Sequence, residues 1–329
     1  MTRTIFLLMT RLAAAYAWSI VALLAFGIVS GIESGPLAII QILTPHLALA
    51  AIPLVPLVAL RSVGGLRLGL VVLLVLFGGR FGGEWFSTAA TAAGGGELRV
   101  ATWNLEVGAR AGIDSVVFLR EHPADLVALQ ELTPSVAAAI EEDPVLVERY
   151  PYRALEVHAG VAGMGLMSRL PLTATPAAIN PARQEARLTL AAGEIVVVNA
   201  HPFPADAGFF ADVLAFDPSV RNRYLQLLRD RVADLEAAGE VVLLIGDFNT
   251  GPTEPAFKRL TTGLCDAHAE VGLGPGWTWR PGRLAFLGTG LLRIDLVLTT
   301  AGLRPITISA ACPSKGDHCL VEALLALER

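Results

Sequence analysis

The chain has 329 residues, 53% of them hydrophobic and 17% charged, against about 25% charged in an ordinary soluble domain. Residues 1–96 hold five arginines, two acids and no lysine, a net +3, whereas residues 97–329 carry −8. This division excludes a wholly soluble chain, a disordered one and, with three cysteines, a disulfide-dense scaffold. It also disfavours a general nucleic-acid binder, which would show a basic domain or stripe.

Leu12 to Ile32 has no charged residue and reads as a first membrane span, since a bilayer core needs roughly 20 apolar residues in a helix. Ser34 to Leu60 is a second uncharged stretch, and Pro36, Pro45, Pro53 and Pro56 predict a kinked or partly re-entrant course for it. A third span, from Ser62 to Phe86, requires Arg67 and Arg80 to snorkel toward opposite interfaces. The first run is too long, and followed by too much apolar sequence, for a cleaved signal peptide. Arg3 and Arg11 precede the first span, and Arg61 and Arg67 lie between the second and third. The positive-inside rule then puts the N-terminus in the cytoplasm and, with three spans, everything after Phe86 outside. The expected organisation is a transmembrane region of about three helices over 1–86, a small glycine-rich linker over 87–96 and a globular domain over 97–329.

From Glu97 the texture changes. Leu98 to Trp103 alternates like a half-buried strand, and Asp125 to Gln130 is a second candidate. Glu194 to Asn199 and Glu240 to Ile245 are short continuous apolar runs, as in strands covered on both faces. Ile294 to Thr299 is a fifth. Between them, Thr133-Pro134 predicts the start of a helix running to Glu142. Val220 to Leu235 keeps helical spacing up to Gly239, and Thr253 is placed to cap a short helix through Leu260. Strands and helices mix without a strict βαβ rhythm, so a layered α/β domain is expected.

The strands end in polar residues: Trp103-Asn104, Gln130-Glu131, Asn199-Ala200-His201, Gly246-Asp247-Phe248-Asn249 and Arg293-Ile294-Asp295, with Gly316-Asp317-His318 near the C-terminus. Carboxylates, carboxamides and imidazoles converging this way suit a hard divalent cation and a phosphate. Asp247 and Asn249, two apart after an apolar strand, point to the same side.

Together and in this order these elements resemble the endonuclease/exonuclease/phosphatase superfamily, which includes deoxyribonuclease-I-like nucleases and neutral sphingomyelinases. The resemblance covers about residues 98–326, and the preceding spans look like a membrane-anchored bacterial branch. It implies a four-layer α/β sandwich, two mixed sheets between helices, behind the N-terminal transmembrane region. It places a divalent ion, Mg²⁺ or Mn²⁺, on Glu131, with Asn104 and Asp317 beside it. Asp247 falls where the attacking water is oriented or deprotonated, Asn249 on the scissile phosphate, and His201 where a donor meets the phosphate or leaving group. Asp295 pairs with His318, which acts as base or phosphate stabiliser. Arg187 is a substrate-binding candidate, a solvated strand edge being the alternative. Gly316 stands where the family has serine, and Leu296 follows Asp295 where many relatives have histidine.

The reading is then a multi-pass membrane phosphodiesterase with an extracytoplasmic catalytic domain, acting on a lipid headgroup or similar phosphate ester. An extracytoplasmic nuclease is the alternative within the family, with nucleic acid the less favoured partner. A catalytically idle, membrane-tethered binding module is the alternative of another class; the presence of Glu131, Asp247 and His318 argues for the enzyme. Cys312 and Cys319 bracket Asp317-His318 and are candidates for a disulfide, three free buried thiols being the other reading.

Overall fold

In the computed structural model of the chain, residues 3–59, 64–87, 96–107, 112–175, 183–210 and 213–328 are described. They divide into two compact units. One contains Met1–Gly83, Asp206–Pro218 and Pro252–Pro255; the other contains Glu84–Ala205, Ser219–Gly251 and Ala256–Arg329.

The first unit holds helices α1 (Arg3–Val29) and α2 (Gly35–Leu49), a 3-10 segment (Ile52–Ala59) and α3 (Gly64–Trp85). Thr4–Val29 and Gly64–Trp85, 26 and 22 residues with mean hydropathy 2.2 and 1.7, are long and apolar enough to cross a membrane. The second expected span is different. Helix α2 stops after 15 residues, roughly 22 Å at the usual rise per residue, short of a bilayer core of about 30 Å. Pro53 and Pro56 lack the amide donors a longer helix would need, and the chain continues as the 3-10 segment. Helix α1 offers small residues where it meets α3: Ala13 and Ala17 form a buried cluster with Leu66, and Trp18 Nε1 donates to Gly65 O at 3.2 Å. Such residues let helix backbones approach closely.

The chain continues through β1 (Glu97–Asn104), α4 (Gly112–Glu121), β2 (Leu126–Gln130), α5 (Pro134–Glu142), α6 (Pro144–Arg149), β3 (Tyr152–Glu156) and β4 (Met164–Ser168). Strands β5 (Leu172–Ala174), β6 (Arg183–Leu190) and β7 (Gly193–Ala200) follow, then the hairpin β8 (Asp206–Phe210) and β9 (Val213–Asp217), which belongs to the first unit. The remainder is α7 (Ser219–Ala237), β10 (Val242–Asp247), α8 (Pro255–Thr261), β11 (Cys265–Asp266), α9 (Ala267–Val271), β12 (Asp295–Thr299), β13 (Leu303–Ala311) and β14 (Leu320–Leu327).

The second unit contains two six-stranded mixed sheets, ordered β13-β14-β1-β2-β4-β3 and β11-β12-β10-β7-β6-β5. The period-2 alternation of a strand builds the layers. Ile195 and Val197 face the other sheet, in one core with Val100, Leu126 and Val297. Val196 and Val198 face Leu225, Leu228 and Val232 of α7. On the outer side of the first sheet, Ala101, Trp103 and Val127 pack on Val116 and Leu119 of α4 and Ile140 of α5. Helices, sheet, sheet and helices are the four expected layers.

All five expected strands form, with ends shifted by a residue or two. Helix α5 begins at Pro134 as expected, but the Thr133 hydroxyl meets Ser135 Oγ and does not cap the backbone. Helix α8 begins at Pro255, two residues beyond Thr253, because proline suits the first helical position. Of the expected linker over 87–96, residues 88–95 lie outside the described set. The residues just before them are held: Trp85 stacks edge-on against Trp277 at 6.2 Å, Gly274 N donates to Trp85 O at 2.8 Å, and Ser87 Oγ donates to Gly272 O.

Candidate active site

Five strand ends deliver the polar residues to one place. In the second sheet, β7 and β10 run parallel with Ala200 beside Gly246, and β10 and β12 run antiparallel with Asp247 directly opposite Asp295. Gly246 has φ +146°, and a Cβ there would lie 2.1 Å from Ala200 O, so only glycine lets β10 close on β7. In the first sheet, β1 and β2 run parallel with Asn104 beside Gln130.

Asn104 is the junction. Its Nδ2 donates to Glu131 Oε1 at 3.1 Å and to Asp247 Oδ2 at 3.0 Å, and lies 3.4 Å from His201 Nε2. His201 Nε2 is in turn 3.6 Å from Glu131 and 3.7 Å from Asp247. His318 places Nδ1 3.0 Å from Asp295 Oδ2 and Nε2 3.6 Å from Asp247 Oδ2. Asn249 Nδ2 donates to Pro202 O at 3.0 Å, and its amide donates to Asp247 Oδ1 at 2.9 Å. Asp317 lies at the edge of the group, with Oδ1 3.9 Å from His318 Nε2. Eight of the nine expected site residues are thus brought together.

Arg187 is not among them. It pairs with Glu240 at 2.6 Å and Glu194 at 3.6 Å and stays 43% exposed. On β6 it sits opposite Val196, four residues from the level of Ala200, or about 13 Å along a strand.

The cluster is buried and strained. Asp247, Asp295 and His318 are 1%, 2% and 4% exposed. Two carboxylates facing each other across a strand pair repel, and the His318 imidazole bridging them relieves this. Burial alone would lower the His318 pKa, but Asp295 and Asp247 outweigh it and push it up to about 10. Burial pushes the Asp247 carboxyl up, against the opposing pull of His318. Among the described residues, the non-glycine positions with positive φ are Glu106 (54°), Glu131 (57°) and Asn249 (51°). Such left-handed backbone costs on the order of 1–3 kcal/mol per residue and concentrates at functional sites.

Sequence reasoning missed four supports. Gln130 Nε2 donates to Asn199 Oδ1 at 2.7 Å and Thr102 Oγ1 at 3.0 Å, a buried bridge joining the sheets beneath the site. Arg221, 2% exposed, donates to Asn249 O at 2.7 Å. Glu106 Oε2 accepts from Asp317 N at 3.0 Å. Trp279 donates from Nε1 to Asp317 Oδ2 at 3.2 Å. Each contact spans a long sequence separation, and no local pattern announces it. Gly316, where the resemblance implied serine, has φ +92°, a backbone that serine would rarely adopt.

The chemistry of the oxygen donors around the cluster suits a divalent metal. Asp317 Oδ1 is buried and accepts no hydrogen bond. Glu131, 16% exposed, keeps both carboxylate oxygens in the cluster, Oε2 accepting from Val107 N at 2.8 Å. Hard oxygen ligands of this kind suit Mg²⁺ or Mn²⁺. Asp247, Asp295 and His318 also offer ligand atoms within 4.8 Å of one another, but His318 Nδ1 is already committed to Asp295.

Fold and cluster define the class: an α/β sandwich whose strand ends gather acid, amide and imidazole groups in one place. The chain belongs to the Endonuclease/Exonuclease/phosphatase family, whose model matches residues 101–318. Members of this family are hydrolytic phosphoesterases and nucleases and generally depend on divalent metal. The chain is similar in structure to the 3' phosphatase NExo from Neisseria bound to product DNA hairpin, at 19% identity over 70% of this chain and 100% of that one, with TM-score 0.53. It is similar to D. rerio TDP2 complexed with single strand DNA product, at 14% identity over 70% and 98%, with TM-score 0.52. Truncated Caenorhabditis elegans TDP2 matches at 15% identity over 70% and 97%, with TM-score 0.51. At such identities the likeness establishes the fold. No curated protein matches the sequence.

Proposed function

We propose that this chain is a membrane-anchored, divalent-metal-dependent phosphodiesterase that hydrolyses a lipid headgroup or similar phosphate ester by in-line attack of water. The observation that carries the reading is the Asn104 junction, which ties the Glu131 carboxylate, Asp247 and both histidines into one buried group. Glu131, Asn104 and Asp317 would hold the ion, which would neutralise charge building on the phosphate. Asp247 orients and deprotonates the attacking water. Asn249 and His201 contact the phosphoryl oxygens and the leaving group. His318, kept cationic by Asp295 and Asp247, stabilises negative charge on the phosphate.

Support for a membrane-bound substrate comes from the first unit, whose helices Thr4–Val29 and Gly64–Trp85 are long and apolar enough to cross a membrane. The hairpin that begins five residues after His201 clusters with the apolar helices, β9 packing on α2. So does Pro252–Pro255, three residues past Asn249, with Arg80 Nη2 donating to Pro252 O at 2.5 Å. An extracytoplasmic catalytic domain over 97–329 suits the Cys312–Cys319 disulfide, since such bonds persist in oxidising compartments.

The test is hydrolysis by the full chain in detergent and in vesicles, with Mg²⁺ and with EDTA. The panel is sphingomyelin, glycerophospholipids, inositol phosphates, DNA and RNA. Turnover of a lipid ester, lost in EDTA, is the expected result. Rapid cleavage of plasmid DNA with no lipid turnover makes it a nuclease instead, and no turnover of any ester makes it a binding module. For topology, a C-terminal alkaline phosphatase fusion is expected active and a green fluorescent protein fusion dark.

A further inference from the structure

We propose that the Cys312–Cys319 disulfide, Arg280 and Trp279 form a clamp that positions Asp317 and His318, so that reducing this one bond disables the site. The inference rests on the phosphoesterase reading of the site. Strands β13 and β14 already pair through eight residue pairs, ending at Ala311 opposite Leu320. The disulfide adds nothing to that register. It closes the base of the irregular loop just beyond the pair, and this loop carries Asp317 and His318.

Besides Glu106 at the Asp317 amide and Trp103 at the His318 carbonyl, the segment from Thr278 to Arg280 grips the loop. Arg280 N donates to Asp317 O at 2.8 Å, and Cys319 N donates to Thr278 O at 2.7 Å. Arg280 is completely buried. Its Nη2 donates to Pro313 O at 2.8 Å and its Nη1 lies 3.4 Å from Cys319 Sγ, one guanidinium holding both feet of the loop. Trp279 Nε1 binds Asp317 Oδ2, leaving Oδ1 turned into the cluster without a hydrogen bond. Thr278 Oγ1 accepts from Asp295 N at 3.2 Å, so the same segment touches both halves of the Asp295–His318 pair. Groups that orient a metal-binding carboxylate in this manner typically change metal affinity 10–100-fold when removed. Trp279 and Arg280 act as positioning residues.

The switching reaction is thiol–disulfide exchange with a dithiol. The dithiol passes two electrons to the S–S bond and becomes a cyclic disulfide, and Cys312 and Cys319 each end as a protonated thiol. Cys312 is half-buried beside the exposed Ser314 and Lys315, which gives the reductant a way in.

The full chain in detergent is compared oxidised, reduced with dithiothreitol and reoxidised, with thiols counted in each state. Mn²⁺ binding is followed by calorimetry, alongside kcat, KM and far-UV circular dichroism. On reduction, Mn²⁺ affinity and kcat are each expected to fall about 10-fold or more, with KM and circular dichroism unchanged and full recovery on reoxidation. Cys312→Ala/Cys319→Ala is expected to match the reduced chain, and Trp279→Phe to weaken Mn²⁺ binding with the disulfide intact. A thiol-verified reduced chain with unchanged Mn²⁺ affinity and kcat overturns the clamp, as does a kcat loss that appears only with loss of the circular dichroism signal. If the oxidised chain turns over no ester while its Mn²⁺ affinity still falls on reduction, the phosphoesterase reading fails and the clamp stands.

Discussion

The two ends of the second sheet hold similar charges to opposite effect. At one end, Asp247 and Asp295 oppose each other almost fully buried, and His318 is pushed up to about 10 between them. At the other, Arg187 reaches Glu240 and Glu194 in solvent. In the second set Arg187 draws the Glu240 carboxyl down, but water screens the pair and limits what it contributes. Burial removes that screening from the first set, and each charge is then dictated by its neighbours. Asp247 and Asp295 sit on β10 and β12, and Arg187 and Glu194 on β6 and β7, so the sheet is the same scaffold; what differs is access to water.

The sharpest way to break this contrast is to remove a buried group. Glu131→Ala and His318→Ala are each expected to lower turnover at least ~10²-fold, the low end for a positioned acid–base group, and EDTA to abolish it. Full turnover in either variant, measured on the ester found in the substrate panel, would remove the cluster from catalysis.

A smaller effect is expected just below the rim. Asn199→Leu leaves one Gln130 Nε2 hydrogen without its acceptor between the sheets, Thr102 still holding the rest of the carboxamide, at a cost of about 1–3 kcal/mol for a buried unsatisfied group. Thermal unfolding of the variant should begin earlier, with the Mg²⁺ requirement unchanged. Equal melting would mean that the bridge carries no stability.

The pH dependence sharpens the comparison further. The folded-state pKa of His318 is raised from 6.5 to about 10, so its contribution to stability is complete below 6.5 and disappears as pH rises through about 10. In metal-free protein, the melting-temperature gap between wild type and His318→Ala should be widest near pH 6 and close toward pH 10. A gap that widens with pH would show that the imidazole is neutral in the folded state.

The smallest effect belongs to the exposed end. Arg187→Ala should leave kcat/KM unchanged and stability nearly so, because exposed ion pairs contribute little. A raised KM in this variant would return Arg187 to the substrate and erase the distinction between the two ends.

Much of this was legible in the chain itself. Continuous apolar runs such as Glu194 to Asn199 announced strands covered on both faces, and the polar residue closing each run announced the site. Local order suffices there because side-chain direction in a strand follows from its period. The second membrane span was less legible. Its hydropathy is uniform, but whether Pro53 and Pro56 end a helix or merely kink it depends on what packs around them, and α2 ends short of them. Arg187 was ambiguous for the same reason, since one arginine on a strand reads alike at either end.

What the sequence determined by itself, then, was composition along the chain: an apolar third, an α/β remainder and the residue types at each strand end. Only the tertiary structure decided the pairings. It set Asp247 opposite Asp295 with His318 between them. It brought Arg280, 33 residues away, onto Pro313, and it put Glu106, 211 residues distant, on the Asp317 amide. The physical reason is that burial and strand register are properties of neighbours. A carboxylate or a guanidinium takes its charge state, partners and role from groups that the chain brings beside it only on folding.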